Sequence, residues 1–111
     1  MTRPDWTLDV EGVPGTAVLR GVFRLESPEA YDRVFAPIAE ALTAGGTLYT
    51  VDLGDVALMN SSGIRALADL VLRARHSGAK LAFVGRAAVP WQSKTMASLR
   101  PLYDGLVIHL S

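Results

Sequence analysis

The chain has 111 residues, half of them hydrophobic, with eleven basic and eleven acidic side chains and no cysteine. That length fits one small domain, 1–111, around a single core. The balanced charge gives no pull toward nucleic acid or anionic lipid, and the lack of cysteine excludes disulfides and thiolate chemistry.

The first residues, Met1-Thr2-Arg3-Pro4-Asp5-Trp6, contain no apolar run and do not read as a signal peptide. No apolar stretch approaches the ~20 residues of a membrane span. A soluble cytoplasmic domain without membrane insertion is the expectation.

Residues 7–12 alternate in polarity and read as a strand. Val13-Pro14-Gly15 reads as a turn, with proline presetting φ and glycine tolerating a positive one. Residues 16–24 continue as a second strand, so the chain opens on a hairpin. Ser27-Pro28-Glu29 then carries three helix-start signals: an N-cap serine, a proline at the first helical position and an acid in the first turn. Tyr31, Val34, Phe35, Ile38 and Leu42 fall on one apolar helix face. Pro37 lies inside that pattern and must kink or divide it, because it cannot donate to residue 33. Gly45-Gly46 ends the segment.

Residues 47–53 are rich in β-branched and aromatic residues and read as a third strand, and the apolar stretch ahead of the next helix stops at Met59. The helix that begins at Ser61 runs to about His76, with Gly78 as its C-terminal cap. Ile64, Leu67, Ala68 and Val71 form its core stripe. Arg65, Asp69, Leu72 and His76 lie on the opposite side, where Leu72 is the one apolar residue. Residues 80–85 are apolar nearly throughout, as in a strand covered on both faces. Pro90-Trp91 opens a further helix to about Arg100, Pro101 ends it, and residues 106–110 form a last strand. There is no internal repeat, linker or low-complexity segment. A hairpin followed by alternating helices and strands predicts an α/β fold: a mixed β-sheet, its later strands parallel, packed with α-helices.

The most informative stretch is residues 52–64, Asp-Leu-Gly-Asp-Val-Ala-Leu-Met-Asn-Ser-Ser-Gly-Ile. It places two hydroxyls at a tight strand-to-helix junction, where a kinase, a phosphate or a partner protein can act. Asp52-Leu53, Val56, Leu58-Met59 and Asn60-Ser61-Ser62-Gly63-Ile64 resemble the signature of STAS domains, the fold of the anti-sigma-factor antagonists. That signature is Asp-Leu, a short spacer, then Asp-Ser-Ser/Thr-Gly-Leu/Ile opening a helix. Val18-Leu19-Arg20-Gly21 is similar to the family's early strand, Lys80 through Gly85 to the strand after the signature helix, and the remainder to its closing helix and strand.

The resemblance implies one STAS-like domain over residues 1–111 and a partner-switching function. An unphosphorylated antagonist of this kind binds an anti-sigma factor, a serine kinase of the histidine-kinase-like ATPase fold, and so frees the sigma factor. The kinase phosphorylates the first signature serine, here Ser61, and the complex separates. A metal-dependent serine phosphatase resets the system. The implied partner-binding residues are Asp52, Asn60, Ser61, Ser62, Gly63, Arg65, Asp69 and Leu72, with no catalytic residue, metal or cofactor of the chain's own. One departure stands out: the family's acid before the serine is Asn60. Asparagine is as good an N-cap as aspartate, but the lost charge bears on kinase recognition.

Other readings compete with these. Ser61 and Ser62 can be simple helix-start residues. Asp52, placed at a strand end, is expected to order the junction by hydrogen bonding; Asp55 reads as a turn residue. As a paired-carboxylate acid/base set the two lack a nucleophile, ligand set or lid. His76 and His109 have no metal-ligand spacing. Trp6, Phe83, Trp91 and Tyr103 read as packing residues, with an exposed partner anchor the alternative for Trp91. No Gly-x-Gly-x-x-Gly or Walker pattern occurs. The chief alternative function is a STAS scaffold that binds partners without phosphorylation, as a subunit of a larger stress-sensing or lipid-transport assembly. An unpaired edge strand or Leu72 would allow a homodimer.

Overall fold

A computed structural model describes residues 5–44 and 48–111; the Gly45-Gly46 helix stop predicted from sequence lies outside them. Five strands form one sheet in chain order: β1 (Trp6–Asp9), β2 (Thr16–Phe23), β3 (Tyr49–Met59), β4 (Leu81–Gly85) and β5 (Leu106–Leu110). The β1–β2 pair is antiparallel and every later pair is parallel. Helices α1 (Pro28–Val34) and α2 (Ala36–Ala44) connect β2 to β3. Helix α3 (Ser61–Ser77) connects β3 to β4, and α4 (Pro90–Leu99) leads to β5 through a single 3-10 turn at Arg100–Leu102. Because strand order follows chain order, right-handed crossovers put the helices on one face of the sheet. The expected mixed α/β architecture is present.

The elements end where local chemistry stops them. β1 is shorter than its alternating pattern because the Asp9 carboxylate accepts hydrogen bonds from the Glu11 and Gly12 amides at 2.9 and 3.1 Å, which bends the chain. Those two bonds, then the charge of Arg20, hold the Asp9 carboxyl below its ordinary range. The Ser27 hydroxyl caps α1 by accepting from the Ala30 amide. The division attributed to Pro37 falls at Phe35, whose amide turns back to the carbonyls of Tyr31 and Arg33. Arg33 is the residue that Pro37 leaves without a donor. Gly78 closes α3 with φ of 75°, and its amide donates to the Ala74 carbonyl.

Two differences from the sequence reading shape the site. β3 does not end at residue 53; it runs unbroken for 11 residues to Met59. Its pairing with β2 slips between Val18 and Arg20 and again between Gly21 and Val22, where β3 carries one extra residue each time. Asp55 therefore sits in a bulged strand and not in a turn. The buried face of α3 is also broader than the Ile64–Val71 stripe: Ala66, Leu70 and Ala74 are buried with Leu67 and Val71, whereas Ile64 and Ala68 are half-buried.

The core lies between the helices and one sheet face and is built from Leu19, Phe23, Val51, Leu53, Val56, Leu81 and Phe83 against Tyr31, Ile38, Leu42, Leu67 and Val71. Four of the five β4 residues are buried, as their apolar run implies. Leu81 and Phe83 belong to the helix-covered core; Ala82, on the other face, is flanked in register by Thr50 and Val107. Trp6 stacks on Phe23 with ring centroids 5.4 Å apart, and the Tyr103 hydroxyl donates to the Ala79 carbonyl. Among the described residues no helix is long and apolar enough to cross a membrane.

Candidate functional site

The β3–α3 junction is fixed by one side chain. Asn60 is extended (φ −74°, ψ 173°), and its amide donates to the Phe23 carbonyl as β3 leaves the sheet. Its own carbonyl accepts the first helical bond, from Ile64. The Asn60 Oδ1 accepts from the Gly63 amide at 3.0 Å, the N-cap bond expected of asparagine, and from the Tyr31 hydroxyl at 2.7 Å. The Nδ2 donates to the Leu25 carbonyl at 3.0 Å, and the Leu25 amide donates to the Tyr31 hydroxyl. Asn60, Tyr31 and Leu25 thus close a ring of hydrogen bonds that ties the start of α3 to α1 and to the β2–α1 loop. Tyr31 is fully buried, and desolvation raises its phenol above the usual value near 10.0, which keeps it a donor.

Neither Tyr31 nor Leu25 figured among the site residues read from sequence. Two signals pointed to them: a tyrosine within an aliphatic helix face needs a partner for its hydroxyl, and an asparagine cap has an amide donor to spare.

The neighbouring residues follow from that anchor. Ser61 is the first residue of α3 and is exposed; Ser62 is half-buried. The cap belongs to Asn60, so the Ser61 hydroxyl is not needed to start the helix. Gly63 is buried because α3 begins hard against β3 and α1: a Cβ there would run into Met59 Cγ and lie 2.8 Å from the Tyr31 hydroxyl. Arg65 is exposed one turn beyond Ser61, on the same helix face. Asp69 and the 44 % exposed Leu72 continue that face. They border a cleft of about 680 Å³ between α2 and α3, floored by Phe35, Ala39, Ala66 and Leu70. His76 also lines this cleft.

Asp52 does not join this group. It lies inside β3, paired in register with Val18 and Val84, and its Oδ1 accepts from the Gly54 amide at 2.9 Å. Seven strand residues, 53–59, separate it from the junction, on the order of 20 Å at a strand's rise, so it does not order Ser61. The extension of β3 past residue 53 is what carries it away. Asp55 is engaged by Arg86 at 3.0 Å and Arg20 at 3.6 Å. Among the described residues no group of three His, Cys, Asp or Glu side chains is placed to hold a metal ion.

A second junction, after β4, is equally ordered. Gln92 is fully buried. Its Nε2 donates to the carbonyls of Leu53 and Val56 at 2.7 and 3.0 Å, and its Oε1 accepts from the Arg86 amide at 2.7 Å. The half-buried Trp91 donates from Nε1 to the Val56 carbonyl, so its indole is tied to the sheet instead of being presented as a free anchor.

No protein-family model and no curated protein matches the sequence. Among solved structures, the crystal structure of an anti-sigma factor antagonist from Mycobacterium paratuberculosis superposes with a TM-score of 0.64 at 18 % identity, covering 96 % of this chain and 90 % of that one. The fold is STAS-like. The resemblance read from residues 52–64 and the architecture therefore agree, and the signature stretch occupies a strand-to-helix junction.

Proposed function

We propose that this chain is an anti-sigma-factor antagonist-like partner switch acting through Ser61. Its partner would be an anti-sigma factor with the histidine-kinase-like ATPase fold and serine-kinase activity, and a metal-dependent serine phosphatase would reverse the modification. The domain, 1–111, would act in the bacterial cytoplasm on transcription, with no catalytic centre of its own. The observation that carries this reading is the exposed Ser61 hydroxyl at the first position of α3, beside a cap that does not use it. The structural likeness to an antagonist supports it.

The physics is that of a surface switch. A phosphoryl group on Ser61 adds roughly −1.5 to −2 charge at pH 7. The amides and macrodipole at a helix N-terminus tolerate that charge, and Arg65 stands one turn away on the same face. The fold is then expected to persist while a surface of Ser61, Ser62, Arg65, Asp69 and Leu72 repels a partner fitted to the neutral serine. Asn60 and Gly63 shape that surface from below. Asp52 lies too far along β3 to share it.

Asn60 favours a second reading, a STAS scaffold that is never phosphorylated. Where the signature has a carboxylate, this chain has an amide committed to the Leu25 carbonyl. Intact mass after incubation with native lysate and Mg-ATP separates the two. One phosphoryl group on wild type and none on Ser61→Ala supports the switch. No modification of either, in a lysate that phosphorylates a control antagonist, supports the scaffold.

A further inference from the structure

The two edges of the sheet are not alike. β1 is four residues long, carries the charged Asp9 at its end, and bends away at the Asp9 turn. Short length and charge are ordinary protections of an edge. β5, Leu106-Val107-Ile108-His109-Leu110, has no proline, bulge, lysine or acid, and its alternating residues have strong strand preference.

The phase of its backbone is fixed by the residue that follows it. The Ser111 amide donates to the Gly85 carbonyl, and the Ser111 carbonyl accepts from the Ala87 amide. In a parallel ladder alternate residues bond to the same neighbour, so 107, 109 and 111 face β4. The main-chain groups of Ile108 and Leu110 and the carbonyl of Leu106 face away from the sheet. The Leu106 amide bonds within its own turn, to the Tyr103 carbonyl. Among the described residues no strand lies beyond β5.

We propose that this edge pairs with β5 of a second copy of the chain, antiparallel about a two-fold axis through Ile108, joining two five-stranded sheets into one. In that register the two Ile108 residues exchange both N–H···O=C bonds, and the Leu110 amide of each chain donates to the Leu106 carbonyl of the other. Val107, 52 % exposed, faces His109 of the second copy across the open sheet face. Ile108 and Leu110, both half-buried, meet Ile108 and Leu106 on the helix side. No pair sets like charges opposite each other. The two-fold closes the assembly at two copies, because each chain contributes its β5 edge to the other. Five-residue edges bury little area, so the equilibrium is concentration-dependent. This inference is independent of any role of Ser61.

Analytical ultracentrifugation over a wide concentration range tests it, with circular dichroism to verify folding. Val107 and His109 are exposed, so their substitution leaves the core untouched. The expected result is a reversible monomer–dimer equilibrium for wild type. Val107→Glu with His109→Glu sets acids opposite acids and gives monomer. Val107→Glu with His109→Lys sets each acid opposite a base and restores the dimer. A wild type that stays monomeric, a dimer indifferent to the Glu/Glu pair, a Glu/Lys pair that remains monomeric, or assembly beyond two copies would each overturn the proposal.

Discussion

Two amide side chains stand at two strand-to-helix junctions of this molecule and do opposite jobs. Asn60, between β3 and α3, caps its own helix and reaches outward to Leu25 and Tyr31. Gln92, in the first turn of α4 just after β4, does not cap its helix at all; the N-cap there is Val89, which makes no side-chain bond. Instead Gln92 reaches back under the sheet to satisfy carbonyls of β3 where that strand has run past β4. One junction presents a hydroxyl to solvent, and the other closes a hole in the ladder. Gly85 shows how tightly the second is packed, since a Cβ there would strike Gln92 Oε1. The contrast teaches that a buried amide is used for repair and a half-buried one for presentation.

Breaking the buried amide is expected to have the largest effect. Gln92→Leu leaves the Leu53 carbonyl and the Arg86 amide without partners, while Val56 keeps only Trp91. At roughly 1–3 kcal/mol per orphaned group, the loss is about 3 kcal/mol or more in urea unfolding. Asn60→Asp keeps the cap but sets a carboxylate oxygen against the Leu25 carbonyl, where a donor now sits at 3.0 Å. Its expected cost is about 1–2 kcal/mol. Equal losses at the two positions would erase the distinction drawn between them.

Smaller changes sharpen the same comparison. Tyr31→Phe removes the bonds to Asn60 and Leu25 and should cost about 1 kcal/mol at neutral pH. It also carries a pH signature. Desolvation raises the Tyr31 phenol above 10.0, so the folded state holds that proton more tightly than the unfolded chain. The associated stability is complete below the unfolded value and declines as pH rises through the folded one. The alkaline decline in melting temperature should be shallower in Tyr31→Phe, with burial of Tyr49 supplying the remainder. An unchanged alkaline limb would show that the fold does not desolvate the Tyr31 phenol. Ser61→Asp should be nearly silent in stability, within ~0.5 kcal/mol, because Ser61 is exposed and does not cap the helix. Partner pull-down should nevertheless be lost, and a large drop in stability would contradict the division of labour between Ser61 and Asn60.

The readability of these elements differed for physical reasons. The α3 start was legible because an N-cap, a glycine and an apolar periodicity are local signals, and local signals survive folding. The α1–α2 division was legible because proline removes a donor wherever it stands. Asp52 and Asp55 were misplaced because Leu53-Gly54-Asp55 reads as a strand end. Two bulges absorb the extra residues, and bulges depend on the partner strand β2, which lies about thirty residues earlier in the chain.

By itself, then, the sequence determined the order of the elements, the signature junction and the exposed face of α3 that carries Arg65, Asp69 and Leu72. These follow from periodicity and capping, which act over a few residues. Tertiary structure alone decided the bonds of Asn60 to Leu25 and Tyr31, the burial of Gln92 and the distance of Asp52 from Ser61. Each of those depends on groups about thirty to forty residues away or on the length of an unbroken strand, and neither leaves a local trace. The chemistry of a hydrogen bond can be read from one residue, whereas its address is set by the packing of the whole chain.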